Sequence, residues 1–77
     1  MKNERGLMNY RKLVYFSENK IMIHFKDLKE IWYNGLILDL SESKLTMVIK
    51  ERLRGSLPIL LEDIKTDSIV EFTEKGE

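Results

Sequence analysis

The stretch from Ile31 to Ile49 constrains the fold more than any other part of the chain. It holds two runs of alternating apolar and polar residues, separated by the polar tetrapeptide Ser41-Glu-Ser-Lys44. Alternation with a period of two is typical of half-buried strands, and a short polar break between two such runs is typical of a hairpin turn. The stretch therefore predicts two adjacent antiparallel strands, with Gly35 as a point where the first strand bends.

One face of these strands is expected to form the core. The residues predicted to point inward are Trp32, Leu36, Leu38 and Leu40, then Leu45, Met47 and Ile49 on the second strand. Earlier in the chain, Ile21, Ile23 and Phe25 share one face of a strand and leave His24 on the other. In a last strand over residues 68–72, Val70 and Phe72 are predicted to face inward. We expect Leu38, Met47, Ile23 and Phe72 to meet in the interior.

A second set of apolar residues is predicted to lie on the opposite face of the strands. It consists of Met22, Ile37, Val48 and Ile69. Exposed apolar residues that cluster on one surface mark a contact with another molecule. We therefore predict that this set, or a free strand edge, is covered by a second copy of the chain or by a partner.

Two segments allow more than one prediction. Residues 11–16 favour a strand, although a helix over residues 4–16 would place Leu7, Tyr10 and Val14 on one stripe. Residues 26–34 favour a turn between two strands; the alternatives are a helix from Asp27 that ends at Asn34-Gly35, or a hairpin turn at Asn34-Gly35 itself.

The remainder of the chain predicts short strands and polar ends. Residues 57–61 predict a strand buried on both faces, in which Pro58 marks an edge or a strand beginning. Residues 62–67 predict a turn, with one turn of helix as the alternative. The expected organisation is a flexible arm over residues 1–10, a single domain over residues 11–73 and a polar tail over residues 74–77.

Composition excludes several classes of site. The 77 residues include no cysteine and one histidine, which leaves no disulfide, no thiolate metal site and no nucleophile–base pair for catalysis. We therefore predict a protein that is not an enzyme and needs no cofactor, metal or small-molecule substrate. No apolar run approaches the roughly 18 residues needed to span a bilayer, and no signal peptide is visible, so the expected location is cytoplasmic.

The charges cancel overall but are unevenly distributed. Residues 1–54 contain eleven Lys and Arg against seven Asp and Glu, whereas residues 55–77 contain two against six. The candidate contact residues for a partner or a nucleic acid are Lys50, Arg52, Arg54, Lys44 and Tyr33. Arginines beside exposed aromatic rings can hold a phosphate chain and stack a base, but a neutral chain lacks the basic excess usual in nucleic-acid binders.

The order Ile21-Met-Ile-His-Phe-Lys-Asp27, Tyr33-Asn-Gly-Leu-Ile-Leu-Asp-Leu40 and Lys44-Leu-Thr-Met-Val-Ile49 resembles the Sm-like group of SH3-like barrels. The resemblance covers about residues 20–72. It implies an all-β fold, namely a small barrel of five to six strands. Outside the resemblance, the alternative helix over residues 4–16 would add a short N-terminal helix to this barrel. A PRC-type barrel is a second resemblance, through residues 35–40 and 60–70.

The residues that bind RNA in the Sm-like group are not matched. The turn Ser41–Lys44 contains no asparagine, and Arg54-Gly55 comes one strand too early for that group's Arg-Gly pair. The expected function is therefore a non-enzymatic interaction module that binds a protein partner or itself: an adaptor, an assembly subunit or an inhibitor of the phage or mobile-element type. The alternative is an oligomeric Sm-like RNA-binding protein.

Overall fold

A computed structural model describes residues 4–73, which form an N-terminal helix followed by a five-stranded antiparallel sheet. The elements are α1 (Glu4–Glu18), β1 (Ile23–Lys26), β2 (Trp32–Ser41), β3 (Thr46–Glu51), β4 (Gly55–Leu60), two 3₁₀ turns (Leu61–Asp63 and Thr66–Ser68) and β5 (Val70–Glu71). The strand order is β4-β3-β2-β1-β5, so β4 and β5 are the edges of an open sheet. The mostly-β fold is confirmed. The predicted tail and the first three residues of the predicted arm lie outside the described residues.

The predicted hairpin at the centre of the chain is confirmed. β2 and β3 pair antiparallel from Ser41 opposite Thr46 to Gly35 opposite Glu51. Gly35 lies inside β2, as predicted, at a place where β3 comes very close. A Cβ atom added at Gly35 would lie 2.6 Å from the backbone oxygen of Lys50. A side chain at position 35 would therefore push the two central strands apart.

A β-bulge at Leu38 makes the predicted inward phase of β2 wrong. Ile37 pairs with Ile49 and Asp39 pairs with Val48, so Leu38 is an extra residue with no partner on β3. Ile37, which we predicted to face outward, is only 8% exposed, whereas Leu38 is 52% exposed. After the bulge the phase returns, and Leu40 packs against the core as predicted.

Three further predictions about burial in the strands are wrong. Trp32 is 44% exposed and not part of the core, since it precedes the bulge and shares the outward phase. In the last strand Ile69 is buried and Val70 is 47% exposed, the reverse of our prediction, so Ile69 is not part of an exposed surface. β4 is an edge strand with an exposed face, not a strand buried on both sides, and Pro58 lies on that edge as expected.

The core confirms the phase predicted for β1 and β3. Its fully buried side chains are Leu13, Ile23, Phe25, Met47, Ile49, Leu61 and Ile64. Phe72, which we placed in the interior, lies instead against His24 on the opposite face of the sheet, where the ring centroids are 6.3 Å apart. Leu38 and Phe72 thus do not meet Met47 and Ile23.

The helix α1 replaces the strand favoured over residues 11–16 and most of the predicted flexible arm. Its buried positions are Gly6, Asn9 and Leu13, which recur at helical spacing and face the first 3₁₀ turn. The side-chain amide of Asn9 donates to the carbonyl oxygens of Leu61 (2.7 Å) and Ile64 (3.0 Å). These tertiary contacts stabilise a helix whose Val-Tyr-Phe segment has poor intrinsic helix propensity.

The turn between β1 and β2 is the favoured one of the three alternatives. β1 ends at Lys26 and β2 begins at Trp32, so both the helix from Asp27 and the hairpin turn at Asn34-Gly35 are wrong. The Asp27 carboxylate accepts hydrogen bonds from the backbone N–H groups of Lys29 (2.9 Å) and Ile31 (3.0 Å). An aspartate that binds backbone groups two and four residues later stabilises a tight turn.

We expect Gly35→Ala to destabilise the fold by about 3 kcal/mol, the upper end of the usual range for overpacking, because the new methyl group meets backbone that has no rotamer to change. Urea unfolding measures the effect. The matched control is Gly55→Ala, where a Cβ atom meets nothing within 4 Å but the positive φ of 81° is unfavourable. That variant should lose only about 1 kcal/mol. Equal losses at both positions would contradict the steric explanation.

Candidate interaction site

A row of aromatic rings and cations crosses the face of the sheet that points away from the core. We call Lys26, Trp32, His24, Phe72 and Arg52 the aromatic–cation row. The His24 and Trp32 rings stack with centroids 4.1 Å apart and planes 3° from parallel. His24 lies beside Phe72 at 6.3 Å, so the three rings form one contiguous surface.

The row carries a cation at each end. Lys26 Nζ lies 5.3 Å from the centroid of Trp32, and the Arg52 guanidinium lies 5.1 Å from the centroid of Phe72. Such contacts hold long side chains over aromatic rings while their charged ends stay in water. The row thus presents an aromatic centre between two positive charges.

Strand pairing explains why these residues meet. Lys26 is directly opposite Trp32, and His24 is directly opposite Asn34, so all four lie on one face of the β1–β2 hairpin. The His24 ring is further held by a hydrogen bond between its Nδ1 and the Asn34 side-chain oxygen. On the other side of β1, Val70 pairs with His24. β5 therefore brings Phe72 to the row.

A shallow depression of about 210 Å³ adjoins the centre of the row. His24, Val70, Glu71, Phe72 and Thr73 line it. The lining is mostly apolar and includes the His24 side chain. A depression of this shape can receive one side chain of a partner.

A second group of polar residues positions the arginines of the β3–β4 turn. The Glu51 carboxylate is 3% exposed and accepts hydrogen bonds from the backbone N–H groups of Asn34 (3.2 Å), Leu53 (2.9 Å) and Arg54 (2.9 Å). It also forms an ion pair with the Arg54 guanidinium at 3.5 Å. A buried carboxylate with four partners makes the turn rigid, which fixes the positions of Arg52 and Arg54.

Tyr33 links this turn to the turn between β1 and β2. The Arg54 guanidinium lies 4.9 Å from the centroid of the Tyr33 ring, and the Tyr33 hydroxyl donates to Asp27 Oδ2 at 3.0 Å. The Tyr33 ring also stacks on Phe25 in the core, with centroids 5.2 Å apart. Both turns at this end of the sheet are therefore held in one arrangement.

The pKa values at this end of the sheet follow from the hydrogen bonds. Burial and the hydrogen bond to Asp27 raise the pKa of Tyr33. Burial by itself would raise the pKa of Asp27, but bonds from Ile31, Tyr33 and Lys29 lower it overall. Hydrogen bonds from Lys26 and Lys65 hold the pKa of the exposed Glu30 carboxyl at about 2. The carboxylates are thus charged at neutral pH.

The structure brings together only part of the predicted contact set. Tyr33 and Arg54 meet at one end of the β2–β3 hairpin, whereas the Arg52 guanidinium lies over Phe72 on the opposite face of the sheet. Lys50 lies exposed on β3, one residue before Glu51. Lys44 lies in the turn at the opposite end of that hairpin and does not join them. In the predicted self-association set, Ile37 and Ile69 are buried, and only Met22 and Val48 are partly exposed.

Sequence reasoning placed His24 outward but did not find the row. The alternation in β1 puts Lys26 on the same outward face as His24, and a turn over residues 27–31 puts Trp32 opposite Lys26. That turn register was the signal that could have identified the row. It was missed because Trp32 was assigned to the core together with Leu38.

Within residues 4–73 no group of three or more His, Asp or Glu side chains is arranged to hold a metal ion. In the same part of the chain, no helix has the length and apolar character needed to cross a membrane. The chain has no significant match among protein-family models, curated proteins or solved structures.

Proposed function

We propose that the chain is a non-enzymatic interaction module that binds an acidic protein partner through the aromatic–cation row, as an adaptor or assembly subunit does. The observation that carries the proposal is the contiguous row itself, in which Trp32 remains 44% exposed beside Lys26 and a second cation, Arg52, lies at the other end. Tryptophan and arginine are the residue types most enriched among the side chains that dominate protein interfaces.

Apolar side chains beside the row support a protein partner. Leu28 and Ile31, in the turn that precedes Trp32, are 44% and 42% exposed. Lys26 and Arg52 at the ends of the row favour an acidic surface, because complementary charge steers association and excludes other partners. An apolar centre with a charged rim is the usual composition of such a site.

Binding by added strands is disfavoured at both edges of the sheet. Pro58 lies in the middle of β4 and has no N–H group to offer to a further strand. β5 has only two residues, so its free edge offers few backbone groups to a further strand. The edges are thus protected in the way natural sheets avoid pairing with other chains, and side chains on the sheet face remain as the binding surface.

Single-stranded nucleic acid is the second candidate, since a row of aromatic rings between cations can stack bases. The contacts that already cover the aromatic rings disfavour base stacking. One face of Trp32 is covered by His24, and the Phe72 ring has the Arg52 guanidinium over it. A base would have to displace these contacts before it could stack. The neutral total charge also gives little attraction for a phosphate chain.

For the fold itself we propose the Sm-like or SH3-like barrel class. The central β2–β3 hairpin, the in-strand Gly35 and the single antiparallel sheet support this assignment. Closure of a barrel would require the edge strands β4 and β5 to pair.

Trp32 is the only tryptophan, so its fluorescence reports directly on the row. We expect a peptide of alternating Glu and Leu to change the emission saturably, and Phe72→Ala or Arg52→Ala to weaken binding by about tenfold or more. The matched control is Leu60→Ala, an exposed residue at the far end of β4, which should leave the affinity unchanged.

Twelve-residue oligouridylate, titrated in the same way, tests the second candidate. Tight binding of this RNA at physiological salt, with no response to the peptide, would replace the protein partner by nucleic acid. Its affinity should then fall steeply as salt is raised. No emission change with either probe would refute the row as a binding site.

A further inference from the structure

The contacts of His24, at the centre of the aromatic–cation row, fix the position of its ring and the nitrogen that carries the proton. One face of the imidazole stacks on Trp32, with centroids 4.1 Å apart. Its Nδ1 is bonded to the side-chain oxygen of Asn34, and because an amide oxygen only accepts, Nδ1 carries the proton. Nε2 is therefore the free nitrogen of the neutral ring, and it has no hydrogen-bond partner within residues 4–73.

Protonation of Nε2 leaves all of these contacts in place. Nδ1 continues to donate to Asn34, since both ring nitrogens of an imidazolium are donors. The positive charge then lies over the ring of Trp32, well within the roughly 6 Å at which an aromatic face attracts a cation. Protonation thus adds one charge and one hydrogen-bond donor to the row without a change of shape.

The charged groups around the row do not neutralise this added charge. The β2 residues in contact with His24 are uncharged. The charged side chains of the neighbouring elements are Lys26 on β1, Glu30 in the β1–β2 turn, Arg52 after β3 and Glu71 on β5. Glu30 pairs with Lys26 at 2.8 Å. In the part of the chain that the structure describes, no carboxylate forms an ion pair with His24.

We propose that protonation of His24 strengthens the binding of an acidic partner to the row, so that the partner is held more tightly at mildly acidic pH. This inference rests on the proposed function, because it concerns the same surface. Histidine is the side chain whose charge normally changes between pH 5 and pH 8, and the chain has only one. A partner carboxylate in the depression lies against His24, which lines it. At about 4 Å, one added unit charge is worth about fivefold in affinity even with the screening of bulk water.

The charge of His24 is measured on the free protein by NMR. The signals of its ring protons are unambiguous, since there is no second histidine. We expect them to move in one step between pH 5 and pH 8. Signals that stay fixed over this range would overturn the proposal, because His24 would then not change its charge in the row.

The effect on binding is measured by Trp32 fluorescence with the peptide of alternating Glu and Leu, at pH 5.5 and pH 8 and constant ionic strength. Glutamate has an ordinary pKa of about 4.3, so the peptide keeps its charge at both values. The wild type should bind it about fivefold or more tightly at pH 5.5. A peptide of alternating Gln and Leu should bind no more tightly at pH 5.5 than at pH 8.

His24→Phe is the matched variant, because it keeps an aromatic ring beside Trp32 but cannot be protonated. Whatever its affinity at pH 8, that affinity should change by less than about twofold at pH 5.5. The N-terminal amino group also titrates near pH 8, but it is present in both proteins. Thermal unfolding checks that the variant is folded, and His24→Gln replaces it if it is not.

The outcomes separate this proposal from the proposed function. Equal peptide affinity of the wild type at the two pH values, or an equal increase in His24→Phe, would overturn the role of His24 and leave the row as a binding site. Absence of peptide binding at both pH values would refute the row as a binding site, and this proposal with it.

Discussion

Replacing Glu51 by Ala is expected to lower the free energy of unfolding by about 3–5 kcal/mol, which is a large part of the stability of a small domain. Three backbone N–H groups, of Asn34, Leu53 and Arg54, would lose the buried carboxylate that accepts their hydrogen bonds. The Arg54 guanidinium would lose its ion pair as well. Urea unfolding at neutral pH measures the loss.

Glu51→Gln is the matched variant, because it keeps the shape of the side chain and one acceptor oxygen but removes the charge. We expect about half the loss seen with Ala, since hydrogen bonds to a charged acceptor are roughly twice as strong as neutral ones. A loss below about 1 kcal/mol for both variants would show that the turn is not held by this carboxylate.

The same group predicts how stability depends on pH. Burial by itself would raise the pKa of Glu51, but the three backbone hydrogen bonds and the charge of Arg54 outweigh it and lower the pKa below the ordinary 4.5. A lowered pKa in the folded state means that the carboxylate stabilises the fold above the unfolded-state pKa. That contribution is lost as the pH falls through the folded-state pKa.

The difference in stability between wild type and Glu51→Gln should therefore shrink in acid, below about pH 4.5. Asp27 and Glu30 also have lowered pKa values, but they are present in both proteins and cancel in the comparison. A difference that stays constant from pH 7 to pH 3 would mean that folding does not change the pKa of Glu51, and would contradict the prediction.

Ile37→Ala and Leu38→Ala should differ sharply although the residues are adjacent. Ile37 is 8% exposed and belongs to the core, so its truncation is expected to cost about 2–5 kcal/mol. Leu38 is the extra residue of the bulge and is 52% exposed, so its truncation should cost less than about 1 kcal/mol. Denaturant midpoints of the two variants measure both effects.

The order of these two effects tests the bulge itself. An uninterrupted β2 with Leu38 inward, which is what the alternation of the sequence predicts, would give the opposite order. Equal and small losses would mean that neither side chain is well packed.

Alternation predicted the strands but could not predict the bulge. β1, β2 and β3 were anticipated, and the inward phase of Ile23, Phe25, Met47 and Ile49 is confirmed. A single extra residue reverses the phase of everything before it. Leu38 could not be recognised as that residue because, as an ordinary leucine between Ile37 and Asp39, it continues the apolar alternation.

The helix over residues 4–16 was anticipated only as the less favoured alternative, and the site was not found, because long-range contacts determine both. α1 is stabilised by hydrogen bonds from Asn9 to backbone carbonyls more than 50 residues away. Intrinsic helix propensity depends on the local residues alone and cannot predict such contacts. In the same way, Phe72 reaches His24 only because β5 pairs with β1. Patterns within a short window predicted the hairpin and its turns, whereas the meeting of distant segments had no local signal.

The docking of α1 onto the 3₁₀ turns has a consequence for the order in which the molecule is made. Arg5, Asn9 and Lys12 donate to carbonyls of Glu62, Leu61, Ile64 and Thr66, at separations of 52 to 57 residues. At about 5–20 residues per second, a ribosome needs roughly 3–11 seconds between the helix and its docking site. α1 is therefore synthesised well before the 3₁₀ turns on which it docks. The strands of the β2–β3 and β3–β4 hairpins are close in sequence and can pair during that interval.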